Sequence, residues 1–201
     1  MLVSHTSVLG PQFVTPELGF AGQIEKLGHP AILRTADGGR SWDVLARPCP
    51  FGTESLSGLS FATPSSGLAV CTLMAGAGNQ TKAVLRTEDG GRSWRVVAGE
   101  FDQRSGFIGP IGGLTASGYA VGVSEIPDGT GWLPEWLDGL FATSNEGGSW
   151  HPVASPVEDA LGEWLFPDHS GLLYGTTPKG HAIFRTRDAG ATWRLVHVFD
   201  P

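Results

Sequence analysis

The sequence contains one eleven-residue pattern four times, and this repetition constrains the fold more than any other feature. The copies span residues 32–42, 84–94, 140–150 and 183–193. Each copy contains two apolar residues, then Thr, Asp or Asn, Gly, and Ser or Thr at alternate positions, and ends on Trp. The tryptophans lie 52, 56 and 43 residues apart. Self-similarity at nearly regular spacing indicates a chain built from repeated supersecondary units.

The chemistry of the pattern is that of a hairpin turn. The Asp or Asn oxygen can accept hydrogen bonds from backbone N–H groups a few residues ahead. The Gly allows a positive φ angle, and the Trp offers a large apolar surface to a neighbouring sheet. We therefore assign structural roles to twelve residues: Asp37, Gly39, Trp42, Asp89, Gly91, Trp94, Asn145, Gly147, Trp150, Asp188, Gly190 and Trp193.

A second pattern precedes each copy and predicts a strand, a polar turn and a strand. It covers residues 13–22, 61–70, 114–122 and 166–175. Together the two patterns predict four-stranded antiparallel meanders, and their radial repetition is a β-propeller. The predicted fold is all-β, one domain over residues 1–201 with blades at about 7–48, 55–98, 108–154 and 161–199. No segment has a sustained helical period.

Composition excludes several classes of protein. The 30 glycines are spread along the chain, as expected for many tight turns. The net charge is −7 and the 13 basic residues form no run, which argues against a nucleic-acid partner. No apolar run is long enough to span a membrane. No metal-binding motif is present, and no cofactor is predicted.

The N-terminus and the cysteines bear on cellular location. The first residues lack a basic start and a long apolar core, so no signal peptide is predicted. The chain is then cytoplasmic as it stands, or exported as a piece of something longer. Cys49 and Cys71 are too few for a disulfide framework. We expect two unpaired structural thiols, with a single bridge as the alternative.

The Thr-x-Asp-x-Gly-x-Ser-Trp pattern resembles the Asp-box, or bacterial neuraminidase, repeat family. Asn145 departs from the Asp of that box but keeps the accepting oxygen. The form at residues 34–42 and 86–94 is most similar to the photosystem II stability/assembly factor type. The resemblance implies a propeller, and this box occurs in hydrolases, receptors and assembly factors alike. Propellers of this family usually have more than four blades. A closed four-bladed ring, an incomplete ring and two chains forming an eight-bladed ring are therefore the open alternatives.

Ligand-binding candidates lie in loops on the side opposite the boxes, where propellers usually bind. The longest predicted loop, 124–138, contains tryptophans beside carboxylates, which can stack a sugar or hold a cationic peptide. Alternatively, the tryptophans pack over the loop and the acids are solvated. The candidates there are Glu125, Trp132, Glu135, Trp136 and Asp138. Arg34, Arg86 and Arg185 recur before the box Thr and could line an anion-binding surface or belong to the repeat architecture.

Two functions from different classes fit these residues. The first is a non-catalytic binding or assembly propeller that engages a protein or carbohydrate partner, with self-association through open blade edges as a further option. The second is an Asp-box glycoside hydrolase, sialidase-like or glucan-active, or a fragment of one. Such an enzyme needs two carboxylates about 5–10 Å apart, and Asp128 with Glu158 or Glu163 is the pairing that the sequence offers. A structural repeat unit without a ligand is the third alternative.

Overall fold

The computed structural model of the protein describes residues 7–24, 30–49, 55–76, 78–99, 112–114 and 117–199. Within these ranges the chain forms seventeen strands and no helix. Consequently, none of the described residues belongs to an apolar helix of the length that a bilayer requires. The strands form four antiparallel sheets, and each sheet contains strands that are consecutive in the sequence. We call these sheets blades 1 to 4.

Blades 1 and 2 are regular four-stranded meanders. Blade 1 consists of β1 (Ser7–Phe13), β2 (Gly19–Ile24), β3 (Ala31–Thr35) and β4 (Asp43–Ala46). Blade 2 consists of β5 (Ser55–Phe61), β6 (Gly67–Gly76), β7 (Asn79–Thr87) and β8 (Arg95–Gly99). In both blades each strand pairs with the next one along the chain.

Blade 3 differs because its first strand is interrupted. The short strands β9 (Tyr119–Ala120) and β10 (Ser124–Glu125) both pair with β11 (Gly131–Trp136). The blade continues with β12 (Gly139–Thr143) and β13 (His151–Val153). Blade 4 is again regular, with β14 (Ala160–Leu165), β15 (Gly171–Thr177), β16 (Gly180–Thr186) and β17 (Arg194–Val198).

The repeated pattern forms the turn between the third and fourth strands of each blade. In blade 1, the Gly39 N–H donates to Thr35 Oγ1 at 2.9 Å, and the Ser41 N–H donates to Asp37 Oδ1 at 3.0 Å. The same two bonds recur in the other three blades. All four box glycines have φ angles between 79° and 93°, a region that favours glycine. The turn is thus closed by its own side chains.

A recurring hydrogen bond joins each box turn to the turn between the first and second strands of the same blade. The Gly38 N–H donates to the Glu17 carbonyl at 2.9 Å in blade 1. The equivalent donor–acceptor pairs are Gly90–Ser65, Glu146–Gly129 and Ala189–His169. Both turns therefore lie at one end of the blade, which we call the box face. The turns between second and third strands and the connections between blades lie at the other end, the far face.

Two sequence predictions for blade 3 were wrong. The first turn of this blade is residues 126–130, where the Ile126 N–H donates to the Thr130 carbonyl at 2.9 Å, and not part of 114–122. Gly118 instead donates its N–H to the Gly78 carbonyl of blade 2. The segment 124–138 is not one long loop, because it contains β10, the first turn and β11. The predicted start of the blade at residue 108 lies outside the described residues.

Apolar side chains fill the junctions between consecutive blades. Phe20 of blade 1 stacks on Phe61 of blade 2, with ring centroids 3.6 Å apart. Further buried clusters join blade 2 to blade 3 and blade 3 to blade 4. No comparable strand packing joins the described parts of blades 4 and 1, so the propeller is an open arc of four blades. The first strands of all four blades line an open cavity of about 380 Å³.

Cys49 and Cys71 form a disulfide, which contradicts the expectation of unpaired thiols. Cys49 follows the last strand of blade 1, and Cys71 lies in the buried strand β6 of blade 2. Packing of the two blades brings their Cα atoms to 5.5 Å, which is within bonding range. Spacing along the sequence does not reveal this proximity, because the blade junction creates it.

Candidate functional site

The far face of blade 3 presents an exposed apolar pair surrounded by acids. The turn between β11 and β12 places Trp136 at 42% and Leu137 at 50% exposure. Asp138 follows them, and the connection from blade 3 to blade 4 contributes Glu158 and Asp159. We call these five residues the rim cluster. Exposed apolar groups beside carboxylates suit a partner with both apolar and basic groups.

Hydrogen bonds across the blade 3–blade 4 boundary hold the rim cluster in place. The Leu137 N–H donates to Asp159 Oδ1 at 3.2 Å, although Leu137 has a φ angle of 79° that a leucine rarely adopts. Asp159 is itself fixed, because the Thr176 hydroxyl donates to Asp159 Oδ2 at 3.0 Å. A strained, exposed residue held by its surroundings is typical of functional sites.

Neighbouring side chains orient the other two members of the β11–β12 turn. The Trp136 ring lies 5.2 Å from the Tyr119 ring in a tilted contact. The Ser117 hydroxyl donates a hydrogen bond to Asp138 Oδ2. A tryptophan with a restrained ring loses little conformational entropy when a partner packs against it.

Glu135 lies in the same turn region but faces the interior. Its Oε1 is 2.7 Å from Lys82 Nζ, and both side chains are almost completely buried. Burial raises the pKa of Glu135 to about 7, while the Lys82 ammonium opposes this rise. Lys82 also donates to the Ser117 carbonyl at 2.6 Å. Glu135 therefore forms a buried ion pair between blades 2 and 3, and a large ligand cannot contact it.

Glu125 is engaged in a second ion pair between the same blades. Arg86 Nη1 lies 2.9 Å from Glu125 Oε1, and Arg86 Nη2 lies 2.9 Å from Glu146 Oε2. Arg86 also donates to the Ser66 hydroxyl. Burial raises the pKa of Glu125, against the effect of Arg86. Arg86 is therefore buried in the blade 2–blade 3 junction, where its guanidinium contacts Glu125, Glu146 and Ser66.

The remaining arginine and tryptophan candidates are placed by the repeat. Arg34 is half-buried in blade 1, and Arg185 is exposed on the outer side of blade 4. Together with Arg86 of blade 2, the three candidate arginines therefore lie on three different blades and do not form one surface. Trp132 is completely buried in the blade 3–blade 4 junction. Its indole N–H donates to the Ala189 carbonyl at 3.0 Å, and its ring lies 5.4 Å from that of Trp193.

The three catalytic candidates lie in three different parts of the fold. Asp128 is on the box face, 3.0 Å from His169 Nε2. The backbone N–H of Thr130 is the main cause that lowers the pKa of Asp128. Glu158 is on the far face, whereas Glu163 belongs to the first strand of blade 4 and lines the cavity between the first strands. The fold thus brings Asp128 to the opposite end of the blade from Glu158.

The cavity between the first strands has a polar side. The Glu163 carboxylate packs against the backbone of Gly122. A Cβ atom added to Gly122 would lie 2.6 Å from Glu163 Oε2. Burial raises the pKa of Glu163 to about 8. Ser124 Oγ and Glu125 Oε2 are buried there without a hydrogen-bond partner among the described residues. No group of three potential metal ligands occurs in the described ranges.

Sequence reasoning missed Lys82 and Leu137. A single lysine within an apolar strand gives no sign that its partner lies 53 residues away. Leu137 could have been recognised, because Asp138 and Gly139 form the dipeptide that is a strong hairpin signal. Gly139 does adopt a φ angle of 86° in that turn.

Comparisons with known proteins agree with this architecture. No protein-family model matches the chain. A xyloglucanase from Paenibacillus sp. is 25% identical over 202 residues, which cover 84% of the chain but 18% of the xyloglucanase. The structure of YCF48 from Cyanidioschyzon merolae aligns with a TM-score of 0.58 and 14% identity, covering all of this chain and 59% of YCF48. The chain has the β-propeller fold, with an Asp-box turn in each of its four described blades.

A further solved structure is similar to this chain in fold at very low sequence identity. A chain from a nidogen–laminin complex aligns with a TM-score of 0.65 and 11% identity over 97% of this Asp-box propeller and 66% of that chain. At such identities the likeness concerns the fold. The chain spans only part of the length of each of these three proteins.

Proposed function

We propose that this Asp-box propeller is a non-catalytic binding module that holds a protein segment with apolar and basic residues on its rim cluster. The observation that carries the proposal is the exposed Trp136–Leu137 pair, fixed by Asp159 and flanked by Asp138 and Glu158. Buried aromatic anchors surrounded by charge contribute most of the energy of many protein interfaces. The likeness to a chain of a nidogen–laminin complex supports a protein partner.

A peptide array can test this function directly. The probes are 15-residue peptides that combine apolar residues with Lys or Arg, their charge-reversed counterparts, and xyloglucan oligosaccharides. We expect the basic peptides to bind and Trp136→Ala to weaken binding at least tenfold. Selective binding of the oligosaccharides would instead favour a glycan partner and overturn the protein-segment proposal.

Two further variants separate binding from folding. Leu137→Gly removes the apolar side chain where the φ angle of 79° suits glycine, so binding should fall while stability is kept or increased. Val8→Ala trims an equally exposed apolar residue of blade 1 and should leave binding unchanged. Full binding by both Trp136→Ala and Leu137→Gly would refute the role of the rim cluster.

A glycoside hydrolase is the second candidate, and Glu163 is the observation that favours it. A carboxyl group with a pKa of about 8 beside a cavity could act as a general acid. The xyloglucanase similarity supports a glucan substrate. The weakness is the second carboxylate, because Glu125 is held by Arg86 and Asp128 lies on the box face. Turnover of xyloglucan or aryl glycosides that is lost in Glu163→Gln would establish this function over the first.

A further inference from the structure

Each internal blade junction is built by the same positions. A residue of the second strand packs towards the next blade, and the paired register identifies it as Phe20 in blade 1, Leu68 in blade 2, Trp132 in blade 3 and Leu172 in blade 4. The first three are almost completely buried. Leu172 is only half-buried and lines an open cavity of about 510 Å³ on the outer side of blade 4.

A bulge in the fourth strand adds a second packing residue. Leu45 of blade 1 and Val97 of blade 2 occupy this bulge, and both pack into the junction with the following blade. Leu45 contacts the box glycine Gly91 of blade 2. A Cβ atom added to Gly91 would lie 2.8 Å from Leu45 Cδ2. Val196 occupies the same bulge in blade 4 and is 56% exposed.

Blade 1 presents the complementary surface, and no other described blade packs on it. Phe13 ends the first strand of blade 1 as Phe61 ends that of blade 2, yet Phe13 is 44% exposed and Phe61 is 2% exposed. Val44 is 55% exposed on the same sheet. At the box glycine Gly39, the three atoms nearest to the position of a Cβ belong to Phe13 and Trp42 of its own blade.

We propose that blade 4 of one chain packs on blade 1 of a second copy, in the manner of the internal junctions. Val196 and Leu172 would cover Gly39 and Phe13 of the other copy. Arg185 does not oppose this contact, because blade 1 carries Arg34 at the same position and still packs on blade 2. Both complementary surfaces belong to every chain, so two copies satisfy all four of them.

The geometry of such a contact is head-to-tail. A heterologous contact of this kind forms a closed ring when its rotation closes. Two arcs of four blades give eight blades, within the range of about 4–8 that propellers use. The contact lies on the outer blades and is independent of the rim cluster.

Light scattering after size exclusion tests the proposal on the 201-residue chain. We expect a concentration-dependent species of twice the 21.1 kDa chain mass. Val196→Asp on blade 4 and Val44→Asp on blade 1 should each raise the dissociation constant at least tenfold. Both residues are more than half exposed, so each variant should fold, which circular dichroism checks. Trp136→Ala is the control and should keep the wild-type mass.

Mixing the two variants identifies the geometry. Each disrupted chain retains one intact surface, so an equimolar mixture should form a dimer through one junction although neither variant dimerises alone. A monomer up to millimolar concentration in the wild type would overturn the proposal. So would dimers of either variant alone at wild-type affinity, a mixture that stays monomeric, or larger open assemblies of the wild type.

Discussion

Replacing Glu135 by Ala should destabilise the propeller strongly, because it leaves the Lys82 ammonium buried without its counter-ion. The two side chains are 0% and 1% exposed, and among the described residues Lys82 would keep only the Ser117 and Gly118 carbonyls as acceptors. Removing one partner of a buried ion pair costs about 3–5 kcal/mol. For a chain of this length, each kcal/mol lowers Tm by roughly 2–4 °C. We therefore expect Tm to fall by about 6–20 °C.

Urea and thermal unfolding followed by circular dichroism at pH 7.5 measure this loss. Glu158→Ala removes an exposed acid from the same face and should change the free energy of unfolding by less than about 0.5 kcal/mol. The double variant Lys82→Met/Glu135→Leu should recover most of the loss, since apolar residues of similar volume replace buried pairs well. A loss below about 1 kcal/mol for Glu135→Ala would refute the argument, because Lys82 would then have to reach solvent.

Two further predictions concern Glu163 and the disulfide. The pKa of Glu163 is raised to about 8 in the folded protein. Between pH 4.5 and 8 the Glu163 carboxyl therefore ionises in the unfolded chain but stays protonated in the folded chain. The free energy of unfolding consequently falls as pH rises through this range. Glu163→Gln should therefore increase the free energy of unfolding by an amount that is near zero at pH 4 and grows to pH 8, with at most about 3 kcal/mol at pH 7 because the cavity can hold water; a gain independent of pH would contradict this. Reduction of the disulfide between Cys49 and Cys71, which are separated by 22 residues, should lower the free energy of unfolding in urea by about 3 kcal/mol. Cys49→Ser should show the same loss without reductant. An unchanged urea midpoint on reduction would contradict the disulfide.

The buried charges of blades 2 and 3 explain why acid content alone is a poor guide to a binding surface. Four acids and two tryptophans in the segment 124–138 predict a ligand loop. In the fold, Glu125 and Glu135 neutralise Arg86 and Lys82 between the blades. Of the remaining acids, Asp128 lies on the box face beside His169. Only Trp136 and Asp138 belong to the turn that holds Leu137 in a strained conformation.

The sequence by itself determined the elements whose hydrogen bonds are local. Each box turn is closed by bonds between residues at most four positions apart, as from Gly39 and Ser41 to Thr35 and Asp37. Such a turn forms wherever the pattern occurs, so the four repeats, the all-β class and the propeller follow from the pattern. The first turn of blade 3 was misplaced because its sequence, residues 126–130, lacks the Phe and Thr-Pro residues that mark this turn in blades 1 and 2.

Only the tertiary structure decided which polar residues are available to a partner. Arg86 and Glu125 are 39 residues apart, Lys82 and Glu135 are 53 apart, and Leu137 meets Asp159 across 22 residues. These pairs depend on how whole blades pack, which no short pattern encodes. The same packing leaves Phe13 exposed and buries Phe61, although the two occupy the same position of the repeat. Whether a residue is exposed depends on the neighbouring blade, and for that reason the exposed surfaces can be identified only from the assembled arc.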